Sequence, residues 1–195
     1  GFIHINTGAM YRGIALKCIQ GKINPTDMPE MENILSGTEF KFCGKDGADL
    51  FMDGVNISSE ITTAEVTKSV SRISAIPRVR EKLVEYQREM ADGIDVVLEG
   101  RDIGTVVFPD ADHKFFLIAD IHERAKRRMQ EMEAKGEIVS LSVLTAELEE
   151  RDRIDSTREH SPLKKAEDAV EIDTTGLSIE QQVNRIVEIV TKSIK

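Results

Sequence analysis

An arginine and an aspartate follow a short apolar segment in the run Glu99-Gly100-Arg101-Asp102-Ile103-Gly104-Thr105. The continuous apolar residues 94–98 before it predict a strand that is covered on both faces. Glycine at the strand end permits close approach of another part of the chain. Ligands of α/β sheets bind beyond the carboxyl ends of the strands, which is where Arg101 and Asp102 would lie. The alternative is a turn closed by a local ion pair.

A second strand end carries the run Thr7-Gly8-Ala9-Met10-Tyr11-Arg12. Threonine is a residue type that caps helices, so the pattern predicts a helix that is capped by Thr7 and opened by Arg12. A cation at the start of a helix is disfavoured by the helix dipole unless an anion lies nearby. A bound phosphate would supply that anion, and the alternative is an arginine exposed to solvent.

Arginines are concentrated in the segment 151–158, where they alternate with acidic residues that include Asp155. Salt-bridged surface helices have the same composition, so the segment by itself leaves two interpretations open. The functional interpretation is a lid that follows a helix and closes over a transferring phosphoryl group. Arginines stabilise the negative charge on such a group without covalent chemistry.

Ser71 and the run Pro77-Arg78-Val79-Arg80 supply a hydroxyl and guanidinium groups near a predicted helix break. Together with a carboxylate such as Asp102, these groups could read the edge of a pyrimidine. A carboxylate accepts a hydrogen bond from the N4 amino group of cytosine, whereas uracil presents an acceptor at that position. The unpaired acceptor would penalise the wrong base. The alternative is a helix N-terminus with solvated arginines.

The elements that must position these residues alternate between strands and helices, which predicts an α/β fold with a parallel sheet. Predicted strands cover residues 2–6, 94–98, 114–119 and 169–172. Residues 39–57 alternate in polarity around glycine-containing turns at 44–47 and 53–54, which predicts a small antiparallel insert. Residues 21–37 are rich in turn-forming residues.

Helical periodicity predicts one helix on each side of Pro77, a charged helix over 121–135 and another over about 140–151. The last helix is predicted to begin at a capping box of Ser178 with Gln181, and its apolar face runs from Ile179 to Ile194. The helix after Thr7 is predicted to bury a single stripe.

Length and composition favour a single globular domain and disfavour a nucleic-acid-binding or membrane-spanning protein. The chain has 195 residues, 40% of them apolar, which suits one domain with a small insert. A net charge of −9 disfavours non-specific binding to nucleic acid. There is no apolar run long enough for a transmembrane helix, and the first residues show no signal-peptide pattern. Cys18 and Cys43 are interpreted as free thiols in a reducing cytoplasm, with a disulfide between them as the alternative. The histidines have no metal-binding spacing.

Together these motifs resemble the bacterial cytidylate kinases, which are P-loop nucleoside monophosphate kinases. The resemblance rests on T-G-A-M-Y-R at 7–12, P-R-V-R at 77–80, E-G-R-D-I-G-T-V-V-F-P-D-A at 99–111, E-R-A-K-R-R-M at 123–129, S-P-L-K-K-A-E-D-A-V at 161–170 and I-D-T-T-G-L-S-I-E at 172–180. Their order and spacing match the family along nearly the whole chain, and the run at 99–111 is highly specific.

The resemblance implies ATP-dependent phosphorylation of CMP and dCMP by a cytoplasmic, monomeric enzyme, with Mg²⁺ carried by the nucleotide. The implied substrate-binding residues are Thr7, Tyr11, Arg12, Ser71, Arg80, Asp102 and Asp155. The implied catalytic arginines, which approach phosphate groups, are Arg101, Arg151 and Arg158. Thr174 and Thr175 would lie beside the adenine of ATP. No metal ligand from the protein is implied.

The family pattern also implies a division of the chain: a core of residues 1–32 and 91–195 with a lid at about 150–162, and a monophosphate-binding insert with flanking helices at 33–90. Asn6 replaces the usual aspartate before T-G-A, which removes a charge. No G-x-x-x-x-G-K-[ST] loop occurs, so we expect the first strand and the P-loop, roughly 25 residues, to be missing from the sequence as given. A nucleotide-binding fragment without turnover and a UMP-preferring kinase are the alternatives.

Overall fold

The structure is a computed structural model that describes residues 1–44, 47–134 and 136–193. Its strands are β1 (Ile3–Asn6), β2 (Phe40–Cys43), β3 (Asp49–Met52), β4 (Val55–Asn56), β5 (Val96–Glu99), β6 (Phe115–Ile118) and β7 (Val170–Asp173). Its helices are α1 (Thr7–Gly21), α2 (Met28–Ser36), α3 (Ala64–Ser74), α4 (Pro77–Met90), α5 (Ile121–Glu133), α6 (Leu141–Thr157) and α7 (Ile179–Ser193). There is also a 3₁₀ turn at Glu60–Thr62 and a π-helical turn at Ile103–Val107.

Two compact units divide the chain, and each contains one parallel pair of strands. The first unit, Gly1–Phe108 with Arg158–Pro162, pairs β1 with β5 and also holds the antiparallel sheet β2-β3-β4. The second unit, Pro109–Thr157 with the described chain from Leu163 onward, pairs β6 with β7. The predicted α/β class, with parallel strand pairing and a small antiparallel insert, is therefore confirmed.

Helix α1 forms the centre of the core of the first unit. Met10, Ile14 and Ala15 are completely buried, and the helix is covered around most of its circumference, where the sequence predicted a single buried stripe. Gly13 permits part of this burial, because a Cβ there would lie only 2.7 Å from Cε1 of Phe40. Packing of this kind holds the first turns of α1, which carry the three predicted site residues Thr7, Tyr11 and Arg12, in one position.

The start of α1 differs from the prediction. Asn6 is the N-cap, and its Oδ1 accepts a hydrogen bond from the backbone N–H of Ala9 at 2.9 Å. The prediction that Thr7 caps the helix is wrong, because the Thr7 hydroxyl donates to the carbonyl oxygen of Glu99 at 2.7 Å instead. Arg12 is the sixth helical residue, so the prediction that it opens the helix is also wrong.

The antiparallel insert follows the predicted alternation. Phe40 of β2 lies opposite Met52 of β3, and both side chains are buried. Asp53 and Gly54 connect β3 to β4 with positive φ angles of 53° and 80°, as a two-residue hairpin turn requires. The turn predicted at 44–47 includes residues 45 and 46, which lie outside the described residues.

A helix that the sequence analysis missed lies in the turn-rich segment 21–37. Helix α2 is capped by Asp27, whose carboxylate accepts from the backbone N–H of Glu30, and a proline occupies its first turn. Pro29 is thus part of the start signal of this short helix, whereas Asn24 and Pro25 do lie in a turn, in which the backbone N–H of Asp27 donates to the carbonyl oxygen of Asn24 at 2.9 Å. Glu32 of α2 accepts two hydrogen bonds from Arg78, at 2.7 and 2.8 Å, and this pair connects α2 to α4.

Two further predictions need correction. Helix α6 extends to Thr157, six residues beyond the predicted end at 151, so Arg151 and Asp155 lie within the helix and do not follow it. Strand β5 is not covered on both faces, since 55% of Val97 is exposed. Within the described part of the chain β5 hydrogen-bonds only to β1, so it is an edge strand with one open side.

Candidate functional site

A buried ion pair joins helix α4 to the segment that follows β5. Arg80, in the first turns of α4, donates through Nη2 to Oδ2 of Asp102, and the two residues are only 4% and 5% exposed. Nη1 of Arg80 also donates to the carbonyl oxygen of Ser74 at 3.1 Å. Charged groups are rarely buried this deeply unless they are paired, so the pair fixes both side chains.

Tyr11 of α1 completes the environment of this pair. The guanidinium carbon of Arg80 lies 5.4 Å from the centre of the Tyr11 ring, which is the geometry of a cation–π contact. Burial raises the pKa of Tyr11 to about 12, while Arg80 and Arg158 act to lower it and Asp102 to raise it. The Tyr11 hydroxyl therefore stays neutral at physiological pH and can donate a hydrogen bond.

Gln87 is a buried polar residue of α4 that the sequence analysis did not identify. It is 1% exposed and lies seven residues after Arg80, on the same face of α4. Its amide is close enough to Tyr11 to lower the pKa of the phenol, yet neither Nε2 nor Oε1 makes a full hydrogen bond within the described chain. The signal in the sequence was a polar residue at the spacing of the buried positions Val79 and Leu83.

The ends of β1 and β5 lie side by side and bring two predicted motifs together. Asn6 is opposite Glu99 in the parallel register, and the Thr7 hydroxyl donates to the Glu99 carbonyl across the junction. Gly100 makes this approach possible, because a Cβ there would lie 2.5 Å from Oγ1 of Thr7. The two motifs therefore lie together at the ends of neighbouring parallel strands.

Arg12 points back toward the start of α1, as helical side chains do. Its Nη1 lies 3.4 Å from the position that a Cβ of Gly8 would occupy, and Oδ1 of Asn6 lies at the same distance. The guanidinium is thus near the positive end of the helix, where the backbone N–H groups also point. Two sources of positive potential at one place favour an anion such as phosphate.

The segment after Asp102 is held from α4. Arg88 donates from Nε to the carbonyl oxygen of Val107 at 3.0 Å and from Nη2 to that of Val106 at 2.8 Å. These carbonyls belong to the π-helical turn Ile103–Val107, a conformation that is found often at functional sites. Arg101, which is half-buried, directly precedes Asp102, so α4 holds the residue and the turn that follow Arg101.

The structure places the other predicted residues of the first unit as follows. Ser71 is half-buried on α3, one turn before Ser74, whose carbonyl accepts from Arg80. Arg158 donates from Nε to the carbonyl oxygen of Ser161 at 2.7 Å and is near enough to Tyr11 to lower its pKa. Arg158 therefore belongs to the group of residues around Tyr11, and Ser71 lies on the helix that supports Arg80.

An open cleft of about 360 Å³ lies beside this group in the first unit. Pro77, Glu81 and Arg88 of α4 line one side of it, and His160 and Ser161 line another. Arg80 also contributes to the lining. The volume is within the range of small-molecule sites.

The second unit carries the remaining predicted lid residues. Arg151 and Asp155 are one turn apart on α6, with 3.9 Å between Nε and Oδ2, and Asp155 is buried. Arg124 of α5 forms an ion pair with Asp152 of α6 at 2.6 Å. The acidic residues of this segment thus orient arginines within and across two packed helices.

Thr174 and Thr175 follow β7 in the second unit. Thr174 is buried, and its hydroxyl donates to the carbonyl oxygen of Ile118 at 3.0 Å. Thr175 accepts through Oγ1 from the backbone N–H of Asp120 at 2.9 Å, and Arg127 donates to the Thr174 carbonyl at 2.6 Å. Both hydroxyls are engaged within the protein, so these threonines shape the loop between β7 and α7.

Among the described residues, no group of three histidine, cysteine, aspartate or glutamate side chains could hold a metal ion. None of the helices described is both long and apolar enough to cross a membrane.

Comparisons with known proteins show the family to which the chain belongs. A family model described as "Cytidylate kinase" matches residues 1–192. A cytidylate kinase of Cytophaga hutchinsonii is 45% identical over 192 residues, which is 97% of this chain and 82% of the relative. One of Pelotomaculum thermopropionicum is 46% identical over 189 residues, covering 96% and 84%. One of Caldicellulosiruptor bescii is 44% identical over 196 residues, covering 100% and 87%.

Proposed function

The chain belongs to the cytidylate kinase family, and we propose that it transfers the terminal phosphoryl group of ATP to CMP and dCMP. The observation that carries the proposal is the buried Arg80–Asp102 pair at the end of β5. A carboxylate held in a fixed orientation is the group needed to select an amino-bearing base.

Base recognition would use the groups on α3 and α4 together with Asp102. Oδ1 or Oδ2 of Asp102 accepts from the N4 amino group of cytosine, and Arg80 donates toward the ring acceptors. Ser71, on the neighbouring helix, supplies a hydroxyl. Uracil presents an acceptor where cytosine has its amino group, so UMP would leave Asp102 facing an oxygen that cannot donate.

Phosphate recognition would use arginines. Arg12, near the start of α1, and Arg101, after β5, are assigned to the phosphate of CMP. Arg151 and Asp155 are assigned to the phosphate and the ribose, and Arg158 to the transferring group. An oxygen of the CMP phosphate attacks the γ-phosphorus while the bond to the bridging oxygen breaks, and ADP leaves. Positioning and charge stabilisation do most of this work, so no side-chain base is required.

ATP is the donor that the family implies, with Mg²⁺ bound to its phosphates. Mg²⁺ keeps several of its water ligands and is commonly bound through substrate phosphates together with one or two carboxylates. Binding of this kind does not need a complete set of ligands from the protein. Asn6 already accepts a hydrogen bond from Ala9 and keeps a neutral amide at the end of β1. Thr174 and Thr175 would shape the loop beside the adenine.

We also propose a monomer that acts in the cytoplasm, with nucleotides and no nucleic acid as partners. The net charge of −9 and the free thiols of Cys18 and Cys43 support this assignment. In functional terms, residues 33–90 would serve as the monophosphate-binding insert, and residues 1–32 and 91–195 as the core, with the lid at about 150–162.

The test is release of ADP in a coupled assay with CMP, dCMP and UMP, run on this chain and on a version with the upstream reading frame restored, together with calorimetric titration of each monophosphate. We expect the restored version to turn over CMP and dCMP, and UMP much more weakly. CMP binding without ADP release in either version would establish a nucleotide-binding protein and reject the kinase assignment, and turnover that favours UMP would reject the cytosine assignment.

Arg101→Ala tests the phosphate assignment separately. We expect kcat/KM to fall by about 10²–10³, the usual cost of removing one group that stabilises developing charge, with little change in Tm. Arg72→Ala, on the exposed side of α3, is the matched control and should behave as wild type. Near-normal kinetics for Arg101→Ala would remove Arg101 from the site.

A further inference from the structure

An ion pair joins helices α5 and α6 of the second unit. Nη2 of Arg124 on α5 lies 2.6 Å from Oδ2 of Asp152 on α6, and the two side chains are 31% and 27% exposed. Nε of Arg124 is buried, and it makes no hydrogen bond within the described residues. Because the inner side of this guanidinium is enclosed, water and salt screen the pair less than they screen a fully exposed one.

The start of α5, where Arg124 lies, is anchored by its cap. Asp120 is the N-cap, and its Oδ1 accepts from the backbone N–H groups of His122 and Glu123 at 2.9 and 3.1 Å. The backbone N–H of Asp120 donates to Oγ1 of Thr175, in the loop after β7, at 2.9 Å. Arg124 lies one turn further along, so its guanidinium reaches α6 from an anchored helix start.

Asp152 lies on α6 between two residues to which a role in substrate binding is assigned. Arg151 directly precedes it, and Asp155 follows one turn later, with 3.9 Å between Nε of Arg151 and Oδ2 of Asp155. Residues three apart are neighbours on a helix surface, so Asp152 lies on the same side as the buried Asp155. The backbone N–H of Leu163 donates to the carbonyl oxygen of Asp155 at 2.7 Å. A rotation of α6 about its axis would therefore move Arg151 and Asp155 together.

A second ion pair of α6 has both of its partners on one helix. Arg153 donates from Nε and Nη2 to the carboxylate of Glu150, both at 2.7 Å, and both side chains are more than half exposed. This pair cannot hold α6 against a neighbour, because it moves with the helix. The Arg124–Asp152 pair can do so, because its partners lie on different helices.

We propose that Arg124 and Asp152 are positioning residues: their pair fixes the rotation of α6 and thereby sets Arg151 and Asp155 for CMP. The inference rests on the proposed function, which assigns Arg151 and Asp155 to the phosphate and the ribose. In this role neither Arg124 nor Asp152 contacts the substrates. Breaking the pair therefore weakens CMP binding more than it slows the transfer step.

Asp152→Lys is the first test, because it places two cations opposite each other on packed helices. In the version with the upstream reading frame restored, we expect KM for CMP to rise about fivefold, the effect of replacing an ion pair by a like-charge pair, and kcat to fall by less. Simple attraction between an added cation and the anionic nucleotide would lower KM instead. Glu150→Lys makes the same change of charge at an exposed position of α6, so it is the matched control and should not raise KM.

Arg124→Glu added to Asp152→Lys exchanges the two charges and tests the pair itself. We expect this double variant to recover a KM within about twofold of the value for the unsubstituted chain. An unchanged KM in Asp152→Lys, an equal rise in Glu150→Lys, or a double variant no better than Asp152→Lys would overturn the proposal. Should Asp152→Lys fail to fold, Asp152→Ala takes its place, with an expected rise of about two- to fivefold, and Arg124→Ala added to it should cause almost no further rise.

A readout without nucleotide separates this inference from the kinase assignment. The backbone N–H of Leu163 is bonded to the last turn of α6, so its hydrogen exchange, followed by NMR on this chain, reports whether that end of the helix keeps its position. We expect Asp152→Ala to accelerate this exchange about two- to fivefold and Glu150→Ala to leave it unchanged. An unchanged rate in Asp152→Ala would overturn the inference even if CMP is phosphorylated, and an accelerated rate would support it even if the kinase assignment fails.

Discussion

Asp102→Asn removes the negative charge of the buried ion pair and leaves the Arg80 guanidinium without its counterion. The asparagine side chain has nearly the same shape as that of aspartate, so the charge is the main change. The two side chains are 4% and 6% exposed, so solvent cannot compensate for the lost charge. Breaking such a pair costs about 3–5 kcal/mol. Arg80 keeps its hydrogen bond to Ser74 and its contact with the Tyr11 ring, so we expect about 3 kcal/mol.

Thermal unfolding and kinetics measure the two consequences of this substitution. For a chain of this size, about 3 kcal/mol corresponds to a fall in Tm of roughly 6–12 °C. The asparagine amide can turn either its oxygen or its NH₂ group toward the base, so the preference for CMP over UMP should fall about tenfold or more. Glu150→Gln, which breaks an exposed ion pair with Arg153, is the control and should leave Tm unchanged.

The double variant Arg80→Met/Asp102→Leu separates stability from recognition. Replacing both charges by apolar groups should restore most of the lost Tm, because no charge then stays buried without a partner. It should not restore the preference for CMP. A double variant as unstable as Asp102→Asn, or a single variant with the Tm of wild type, would refute the reasoning that the buried charge dominates.

Three further outcomes follow from the same geometry. Gly100→Ala should lower Tm and reduce kcat/KM at least about tenfold, because its Cβ would lie 2.5 Å from Oγ1 of Thr7 and must displace it. Arg88→Lys should raise KM for CMP more than it lowers kcat, because one ammonium group cannot reproduce the forked contact with the turn Ile103–Val107. The free energy of unfolding should fall as pH rises from 10 to 12, because the pKa of Tyr11 is raised from 10.0 to about 12 by folding. The contribution is complete below pH 10, and Tyr11→Phe should remove this part of the pH dependence.

Matched variants make these expectations decisive. Arg72→Lys, an exposed arginine of α3, should leave KM unchanged, and equal effects of Arg72→Lys and Arg88→Lys would contradict the role of the turn. Tyr86→Phe should keep the loss of stability above pH 10, so a loss that depends on Tyr86 would contradict the assignment to Tyr11. Wild-type kinetics in Gly100→Ala would show that the two strand ends tolerate separation.

Several features of the fold followed from local patterns. Alternating apolar residues predicted the hairpin that β2 and β3 form, and the capping box of Ser178 and Gln181 starts α7 as expected, with hydrogen bonds in both directions. These features depend on residues that are close in sequence, so the pattern contains the necessary information.

Features that depend on distant partners were missed or wrong. Thr7 was expected to cap α1, but the carbonyl of Glu99, 92 residues away in the sequence, takes its hydroxyl. The predicted end of helix α6 lies before the observed one. The charged residues that suggested a loop form ion pairs within the fold and so stay helical, as Asp152 does with Arg124 of α5. Gln87 was overlooked because a polar residue on a helix is usually exposed.

The sequence alone determined the α/β class, the strand ends that carry the motifs and the resemblance to a family of kinases, since these depend on residue order and spacing. Only the tertiary structure decided what each charged residue does. Arg78 and Arg80 belong to the same four-residue motif, yet Arg78 pairs with Glu32 at the surface and Arg80 with Asp102 in the core. A guanidinium can be buried only where folding brings a counterion to it, and no local pattern contains that partner.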